Sequence, residues 1–80
     1  MAVRILFLGP LEDIAGAPEL ALPAPLDWDG LLSAVNSETL MHLQSDRIKV
    51  ACSGKVLADK FALLAADGEE VALLPPVSGG

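Results

Sequence analysis

The sequence has 80 residues, which is enough for one domain with a modest hydrophobic core. It carries 5 lysines and arginines against 11 aspartates and glutamates, and this balance argues against nucleic-acid binding, which needs a basic cluster. No apolar run reaches the about 18 residues of a membrane span, and the single cysteine forms no internal disulfide. We therefore expect a cytoplasmic domain that binds neither nucleic acid nor membranes. Its net charge of −6 favours a partner with a basic groove, or serves solubility alone.

The first third of the chain predicts two strands with a helical turn between them. In chain order these elements lie at residues 3–8, 11–15 and 19–22. Both faces of the first strand are apolar, so we expect it inside a sheet rather than at an edge. Gly9 and Pro10 end this strand, and Gly16 ends the helical turn in the left-handed conformation.

A helix is predicted to follow Asp27, which is a favourable N-cap. Apolar residues then recur at helical spacing on one face, at Trp28, Leu31, Leu32 and Val35. This stripe predicts a main helix that lies across a sheet. Asn36-Ser37 interrupts the pattern, and residues 39–44 predict a further helical turn.

The second half of the chain predicts three more strands, at residues 47–52, 55–57 and 69–74. Ser53-Gly54 and Asp67-Gly68 are the turn signals that precede the last two of them. Residues 61–66 are apolar, and their pattern does not distinguish helix from strand. Strands arranged around one main helix predict an α+β domain with the helix packed on one face of a sheet.

The composition changes after Leu74, so we place a domain at residues 1–74 and an extended tail at residues 75–80. The first two tail residues are prolines, which cannot donate ladder hydrogen bonds and favour a stiff polyproline conformation. The last two are glycines without a Cβ, so the tip can enter a narrow tunnel. A frayed terminus is the alternative interpretation, but a stiff stem with a slim tip favours a reactive terminal carboxylate on Gly80.

Residues 67–80 have the sequence DGEEVALLPPVSGG and closely resemble the C-terminus of the small subunit of molybdopterin synthase. The PPVSGG ending is the specific part, since a terminal Gly-Gly alone would be a weak signal. Three other segments resemble the family more loosely, at residues 3–7, 11–16 and 50–54. The resemblance implies the ubiquitin-like β-grasp fold, which has a mixed sheet, one main helix on one face and a protruding Gly-Gly tail.

The resemblance also implies that the chain is the sulfur-carrying subunit of that enzyme. An ATP-dependent adenylating enzyme would activate the Gly80 carboxylate as an acyl adenylate. A sulfur donor, such as a cysteine desulfurase or a rhodanese-like protein, would convert the adenylate to a thiocarboxylate. In a heterotetramer, the large subunit would hold the active site in which this sulfur attacks precursor Z, the cyclic pyranopterin monophosphate, to form the molybdopterin dithiolene. This chain would itself bind no cofactor and no metal.

Roles along the tail follow from the same resemblance. Gly80 would carry the sulfur and Gly79 would give clearance, while the stem that guides insertion comprises Pro75, Pro76, Val77 and Ser78. Leu73 and Leu74, or the apolar surface next to them, would dock the adenylating enzyme and the large subunit in turn. The sequence departs from the family pattern at four positions that bear on docking, which are Glu12, Ser53, Leu73 and Leu74.

Packing or solvation accounts for the remaining residues that suggest a function. Cys52 is an alternative sulfur carrier, but it alternates with apolar neighbours as a core residue does. His42 has no nearby partners with which to form a metal site, and the acidic residues at 67–70 are explained as the edges of a turn. Trp28 is expected to pack against the domain. Two lysines are possible isopeptide acceptors or solubilising residues, Lys55 and Lys60.

Three other functions stay open from the sequence. A carrier for another sulfur pathway, such as thiamine thiazole synthesis, shares the chemistry, although such carriers usually lack the Pro-Pro-Val-Ser stem. A ubiquitin-like protein modifier would join Gly80 to lysines on target proteins. A binding module with an inert tail would tolerate the loss of Gly80.

Overall fold

The computed structural model of the protein describes residues 2–75. The strands are β1 (Ala2–Phe7), β2 (Glu19–Pro23), β3 (Leu26–Asp27), β4 (Lys49–Cys52), β5 (Lys55–Val56), β6 (Leu64–Ala65) and β7 (Glu70–Leu74). The helices are α1 (Pro10–Ala15), α2 (Trp28–Ala34) and α3 (Ser37–Leu43), with a 3₁₀ turn at Lys60–Ala62. Within the described residues, no helix has the length and apolar character needed to cross a membrane.

Five strands form one mixed sheet in the order β2-β1-β7-β4-β5, and β3 pairs with β6 in a separate ribbon. β1 and β7 run parallel, and the other pairs are antiparallel. β1 lies between β2 and β7, which confirms that it is internal. The strand predicted at residues 69–74 is β7, and it stands at the centre of the sheet. The predicted α+β class is therefore confirmed.

The core lies on one face of this sheet, under the helices. Val3, Ile5 and Phe7 alternate inward along β1, with exposed fractions of 0%, 0% and 3%. The helices meet them with four buried side chains, those of Leu11, Trp28, Leu31 and Leu43. The three short helices pack on the face of β1 that carries Val3, Ile5 and Phe7, so the opposite face of the sheet stays open. Leu8, which follows β1 on that opposite face, is 39% exposed.

The main helix expected after Asp27 is divided into α2 and α3, which have seven residues each. Asp27 caps α2, since its Oδ1 accepts a hydrogen bond of 2.8 Å from the backbone N–H three residues later. Asn36 caps α3 in the same way, with a hydrogen bond of 2.7 Å from the Thr39 N–H. The predicted break at Asn36-Ser37 is confirmed. The segment after the break is a second full helix rather than a turn, because Asn36 satisfies the first N–H groups of a new helix.

The predicted turns lie where expected. Ser53 and Gly54 have φ values of 52° and 85°, and two positive φ values are what the type I′ hairpin turn between β4 and β5 requires. Gly16 ends α1 in the left-handed conformation. Residues 61–66, whose type the sequence did not distinguish, contribute to the 3₁₀ turn and to β6.

Lys60 is turned toward the body of the domain. Its Nζ donates hydrogen bonds to three carbonyl oxygens at the end of α3 and in the loop after it, those of Leu43 (2.8 Å), Ser45 and Ile48 (3.4 Å). Burial lowers the pKa of Lys60, and its ammonium lies 5.5 Å from the centroid of the Trp28 ring. Trp28 is 6% exposed, which confirms its packing role. Lys60 therefore satisfies the open end of α3 rather than serving as a free surface amine.

Candidate functional site

The central strand β7 leads directly to the predicted tail. On one side a parallel ladder places Leu73 beside Phe7. On the other side an antiparallel ladder places Leu73 beside Val50 and Leu74 beside Lys49. The root of the tail is therefore held by hydrogen bonds from two neighbouring strands.

One of the predicted docking residues is corrected by the structure. The side chain of Leu73 is 0% exposed, because it points to the core face of β7 between its neighbours on β1 and β4. A buried side chain cannot contact a partner, so Leu73 anchors the tail root and does not dock. Leu74 points to the opposite face and is half-buried, so it stays available for docking.

Most of the predicted tail residues lie outside the described part of the chain. The predictions for Pro76, Val77, Ser78, Gly79 and Gly80 concern residues beyond those that the structure describes, and they stay predictions. Pro75, the first tail residue, is half-buried and lies next to Gly9 in the loop between β1 and α1.

Apolar side chains cross the open face of the sheet beside the tail root. The strand registers place Leu6, Ala72, Ala51 and Val56 next to one another on four adjacent strands, and we call these four residues the apolar row. Val56 is 61% exposed, Leu6 and Ala72 are half-buried, and Ala51 is only 8% exposed, so the accessible part of the row is formed by Leu6, Ala72 and Val56. Leu74 continues the same face two residues after Ala72, so the apolar row borders the point where the tail begins.

The sequence analysis expected an apolar surface next to Leu73 and Leu74 but did not identify the residues of the apolar row, although a signal for them exists. Apart from Arg4, β1 is apolar on both faces, and this pattern by itself is typical of a strand buried on both sides. A chain of 80 residues has too few helices to cover both faces of a five-stranded sheet. An apolar second face in so small a domain indicates an interface as well as a core.

Charged groups border the open face. Arg4 lies on this face between two acidic residues, with its guanidinium 3.1 Å from a carboxylate oxygen of Glu70 and 3.7 Å from one of Glu19. Their side chains are about half exposed, so each pair contributes about 0–1 kcal/mol to stability. An apolar centre with a charged border is the usual composition of a protein–protein interface.

The environment of Cys52 does not activate its sulfur. The thiol is half-buried against the core. Burial and then the negative charge of Glu69 raise the pKa of Cys52. The reactive form of cysteine is the thiolate, so this position suits packing, as predicted. His42 is exposed on α3, and within residues 2–75 no three His, Cys, Asp or Glu side chains converge to hold a metal ion.

Glu69 organises the turn that starts β7. Its Oε1 accepts a hydrogen bond of 2.6 Å from the Ala66 N–H, and its Oε2 accepts one of 2.7 Å from the Ser53 hydroxyl. These two hydrogen bonds lower the pKa of Glu69, and the Ala66 N–H contributes most. The acidic residues here therefore serve the turn, which agrees with the interpretation from the sequence.

This arrangement predicts a pH-dependent effect of Glu69→Gln. Because the pKa of Glu69 is lower in the native state, its contribution to stability is complete above its ordinary value of 4.5 and is lost as the pH falls through the native value. We expect the urea midpoint of the variant to lie below that of the wild type at pH 7, and the two midpoints to converge in acid. Glu12→Gln, on the exposed side of α1, controls for the loss of one surface charge. An equal difference between wild type and Glu69→Gln at both pH values would contradict this role.

No protein-family model and no curated protein matches the sequence. Solved structures do match it over nearly its whole length. The crystal structure of small archaeal modifier protein 1 from Haloferax volcanii is similar with a TM-score of 0.72 and 24% identity, and the match covers 100% of both chains. The solution structure of small archaeal modifier protein 1 from Methanosarcina acetivorans has a TM-score of 0.72 and 27% identity over 99% of this chain and 96% of that one. The chain has the ubiquitin-like β-grasp fold.

A third structure with the β-grasp fold bears on the resemblance noted from the sequence. In the complex of subunits 1 and 2 of molybdopterin-converting factor from Helicobacter pylori, a chain matches with a TM-score of 0.68 and 23% identity, covering 100% of both chains. The β-grasp fold implied by the resemblance of residues 67–80 is therefore confirmed. In this fold the central strand β7 ends at the tail root, next to the apolar row.

Proposed function

We propose that the protein is a sulfur carrier whose reactive group is the carboxylate of Gly80. The main support for the proposal is the position of β7, which is paired with β1 on one side and β4 on the other. Because β7 is fixed in this way, the chain leaves the sheet at Pro75 from a rigid point beside an open apolar face. A rigid root limits the entropy lost when a tail docks. The sequence after this point is the stem and double glycine on which the family resemblance rests.

The chemistry on Gly80 proceeds in two steps under this proposal. A carboxylate is a poor electrophile, so an ATP-dependent adenylating enzyme first joins it to AMP with release of pyrophosphate. A sulfur donor at the oxidation level of sulfide then attacks the carbonyl carbon, AMP leaves with the bonding electrons, and a thiocarboxylate remains. The sulfur is a better nucleophile than the carboxylate oxygen it replaces. ATP is used by the partner enzyme, not by this chain.

The acceptor we propose is precursor Z, held by the large subunit of molybdopterin synthase. The structure from Helicobacter pylori supports this choice, because there a similar small chain was solved in complex with a second subunit of molybdopterin-converting factor. The thiocarboxylate sulfur attacks a carbon of the precursor and an oxygen group leaves that carbon, which gives a thioester between Gly80 and the precursor. Hydrolysis of the acyl–sulfur bond frees the Gly80 carboxylate and leaves the sulfur on the precursor, and two deliveries complete the dithiolene. The bases, the substrate pocket and most of the rate enhancement belong to the large subunit.

The apolar row is the surface we assign to partner docking, together with Leu74. It borders the tail root, so a partner that covers it also receives the tail. Since one tail cannot enter two active sites, the adenylating enzyme and the large subunit use this face in turn. Isolation of one complex in which a single copy of this chain binds both enzymes would refute the proposal that they bind in turn.

A charge placed in the apolar row is expected to weaken docking without unfolding the domain. Val56→Asp changes a side chain that is 61% exposed, so the fold tolerates it, whereas a partner must desolvate the new carboxylate. We expect the dissociation constant for the large subunit, measured by titration calorimetry, to rise about 10-fold or more, as is usual for a buried uncompensated charge.

Met41→Asp is the matched control for this experiment. Met41 is 72% exposed and lies on α3, outside the sheet. Like Val56→Asp, this substitution adds one negative charge to a chain whose net charge is −6. It should leave the dissociation constant within about 2-fold of the wild type, as expected for a charge outside an interface. Equal effects of the two variants would show that the open face is not the docking surface.

Intact mass measurement tests the proposed chemistry directly. The purified protein is incubated with ATP, the adenylating enzyme and a sulfur donor, and its mass is compared with a reaction that lacks ATP. The expected result is the gain that replaces one oxygen by one sulfur, located on Gly80 by fragmentation. A mass that stays unchanged although the adenylating enzyme is active on another carrier would reject the proposal.

A second candidate function is that of a protein modifier, which forms an isopeptide bond between Gly80 and a lysine of another protein. The names of the two archaeal proteins favour it, since both are called small archaeal modifier proteins. The two functions share adenylation of Gly80 and differ in the acceptor. A blot of cell lysate distinguishes them, because a modifier produces a series of high-mass conjugates and a carrier runs as a free small band.

A further inference from the structure

Pro75 lies close to Gly9 at the point where the chain leaves the sheet. β1 and β7 are parallel neighbours with Phe7 beside Leu73, so the residues just beyond their ends stay close. A Cβ built on Gly9 would stand 3.3 Å from Cγ of Pro75, which is closer than nine in ten Cβ contacts in proteins. A side chain at residue 9 would therefore require one of the two residues to move.

Both residues are held in place, so a movement has a cost. The carbonyl oxygen of Gly9 accepts a hydrogen bond of 3.1 Å from the Glu12 N–H, within the first turn of α1. Gly9 has φ 56° and ψ −134°, a backbone conformation that glycine adopts readily and other residues do not. Pro75 has a rigid ring and directly follows β7, whose position two ladders determine.

We propose that Gly9 is a positioning residue for the tail: its missing side chain allows Pro75 to lie against the loop between β1 and α1, and this contact sets the direction in which the chain leaves the sheet. The inference rests on the proposed function, in which Gly80 reacts in the active site of a partner. Five residues follow Pro75, and when extended they span about 17 Å. A change of direction at the root moves the tip in proportion to that length, and a misplacement of about 1 Å can slow a reaction about 100-fold.

A double-mutant cycle separates the contact from the backbone strain that any side chain at residue 9 introduces. The variants are Gly9→Ala, Pro75→Ala, which removes Cγ, and the two together. The strain at residue 9 is the same in the single and the double variant, so it cancels in the cycle. Gly16→Ala is the matched control, because Gly16 also has a positive φ of 82°, but a Cβ there meets no atom within 4 Å.

The main readout is kcat/KM for thiocarboxylate formation, measured on variants whose Trp28 fluorescence shows a folded domain. We expect Gly9→Ala to lower kcat/KM about 10-fold. The kcat/KM of the double variant should recover to within about 3-fold of the value for Pro75→Ala alone. If Gly9→Ala acted only by straining the backbone at residue 9, the second substitution would not restore the rate. Gly16→Ala should load at the wild-type rate. Wild-type loading by Gly9→Ala, or a double variant no faster than Gly9→Ala, would overturn the proposal.

An NMR readout keeps this inference separate from the proposed function. If the wild type is never loaded with sulfur, the carrier function fails, but the contact can still be tested. We expect a nuclear Overhauser effect between the Gly9 Hα protons and the Pro75 ring in the wild type. We also expect shifts of the Val77 and Ser78 amide signals in Gly9→Ala and not in Gly16→Ala. Absence of the Overhauser effect, or equal amide shifts in both variants, would show that Gly9 does not position the tail.

Discussion

Deletion of Gly80 is expected to abolish sulfur loading while the domain stays folded. The shortened chain still ends in a carboxylate, that of Gly79, but this group stops about 3.5 Å short of its former reach. The β-grasp domain cannot compensate by moving, because β7 holds the tail root rigidly to the sheet face that we propose for docking. We expect the loading rate to fall by about 100-fold or more, since misplacement of a reacting group by about 1 Å already costs that much.

A length-compensated variant shows whether reach is the cause. Deleting Gly80 and duplicating Ser78 restores the number of residues after Pro75 and leaves one terminal glycine. Partial recovery of loading, followed by intact mass over time, is expected if distance matters most. A truncated chain that loads as fast as the wild type would contradict the assignment of Gly80, and with it the carrier function.

Truncation of Leu73 should cost far more stability than truncation of its neighbour. Leu73 is 0% exposed at the centre of the sheet, and Leu→Ala at such sites lowers the free energy of unfolding by about 2–5 kcal/mol. Leu74 is half-buried on the open face, so Leu74→Ala should cost about 1 kcal/mol. The total for a domain of 80 residues is about 4–12 kcal/mol, so Leu73→Ala approaches unfolding.

Urea unfolding followed by Trp28 fluorescence measures both variants with the same buried probe. Leu74→Ala serves as the matched control, since it removes the same atoms from the adjacent position of the same strand. It should instead weaken binding of the large subunit. Equal losses of stability in the two variants would contradict the assignment of Leu73 to the core and Leu74 to the docking face.

Local signals in the sequence predicted most of the secondary structure. The cap at Asp27, the break at Asn36-Ser37 and the turn at Ser53-Gly54 all lie where expected. Each depends on hydrogen bonds or φ values within about three residues, so the neighbouring sequence contains the information. The 3₁₀ turn at Lys60–Ala62 was not predicted, because Lys60 takes its partners from α3 and from the loop after it.

The candidate site also has one part that the sequence predicted and another that only the fold brings together. The reactive group proposed on Gly80 and its stem are features of the sequence, found by composition and by family resemblance. The docking surface was not predictable from one strand at a time, since the apolar row takes one residue from each of four strands. The contact between Gly9 and Pro75 likewise joins residues at opposite ends of the chain.

The sequence by itself determined the order of the five strands of the main sheet and of the three helical segments, the turn residues and the tail on which the proposed chemistry depends. The short ribbon of β3 and β6 was not predicted. Alternation along a strand places Leu73 and Leu74 on opposite sides of a sheet, although the prediction from the sequence assigned both to docking. Only the tertiary structure decided which of these sides is the core, because that depends on where the helices pack. Two adjacent leucines have the same intrinsic preferences. The helices that cover one face of the sheet bury Leu73 and leave Leu74 on the open face, where we propose docking.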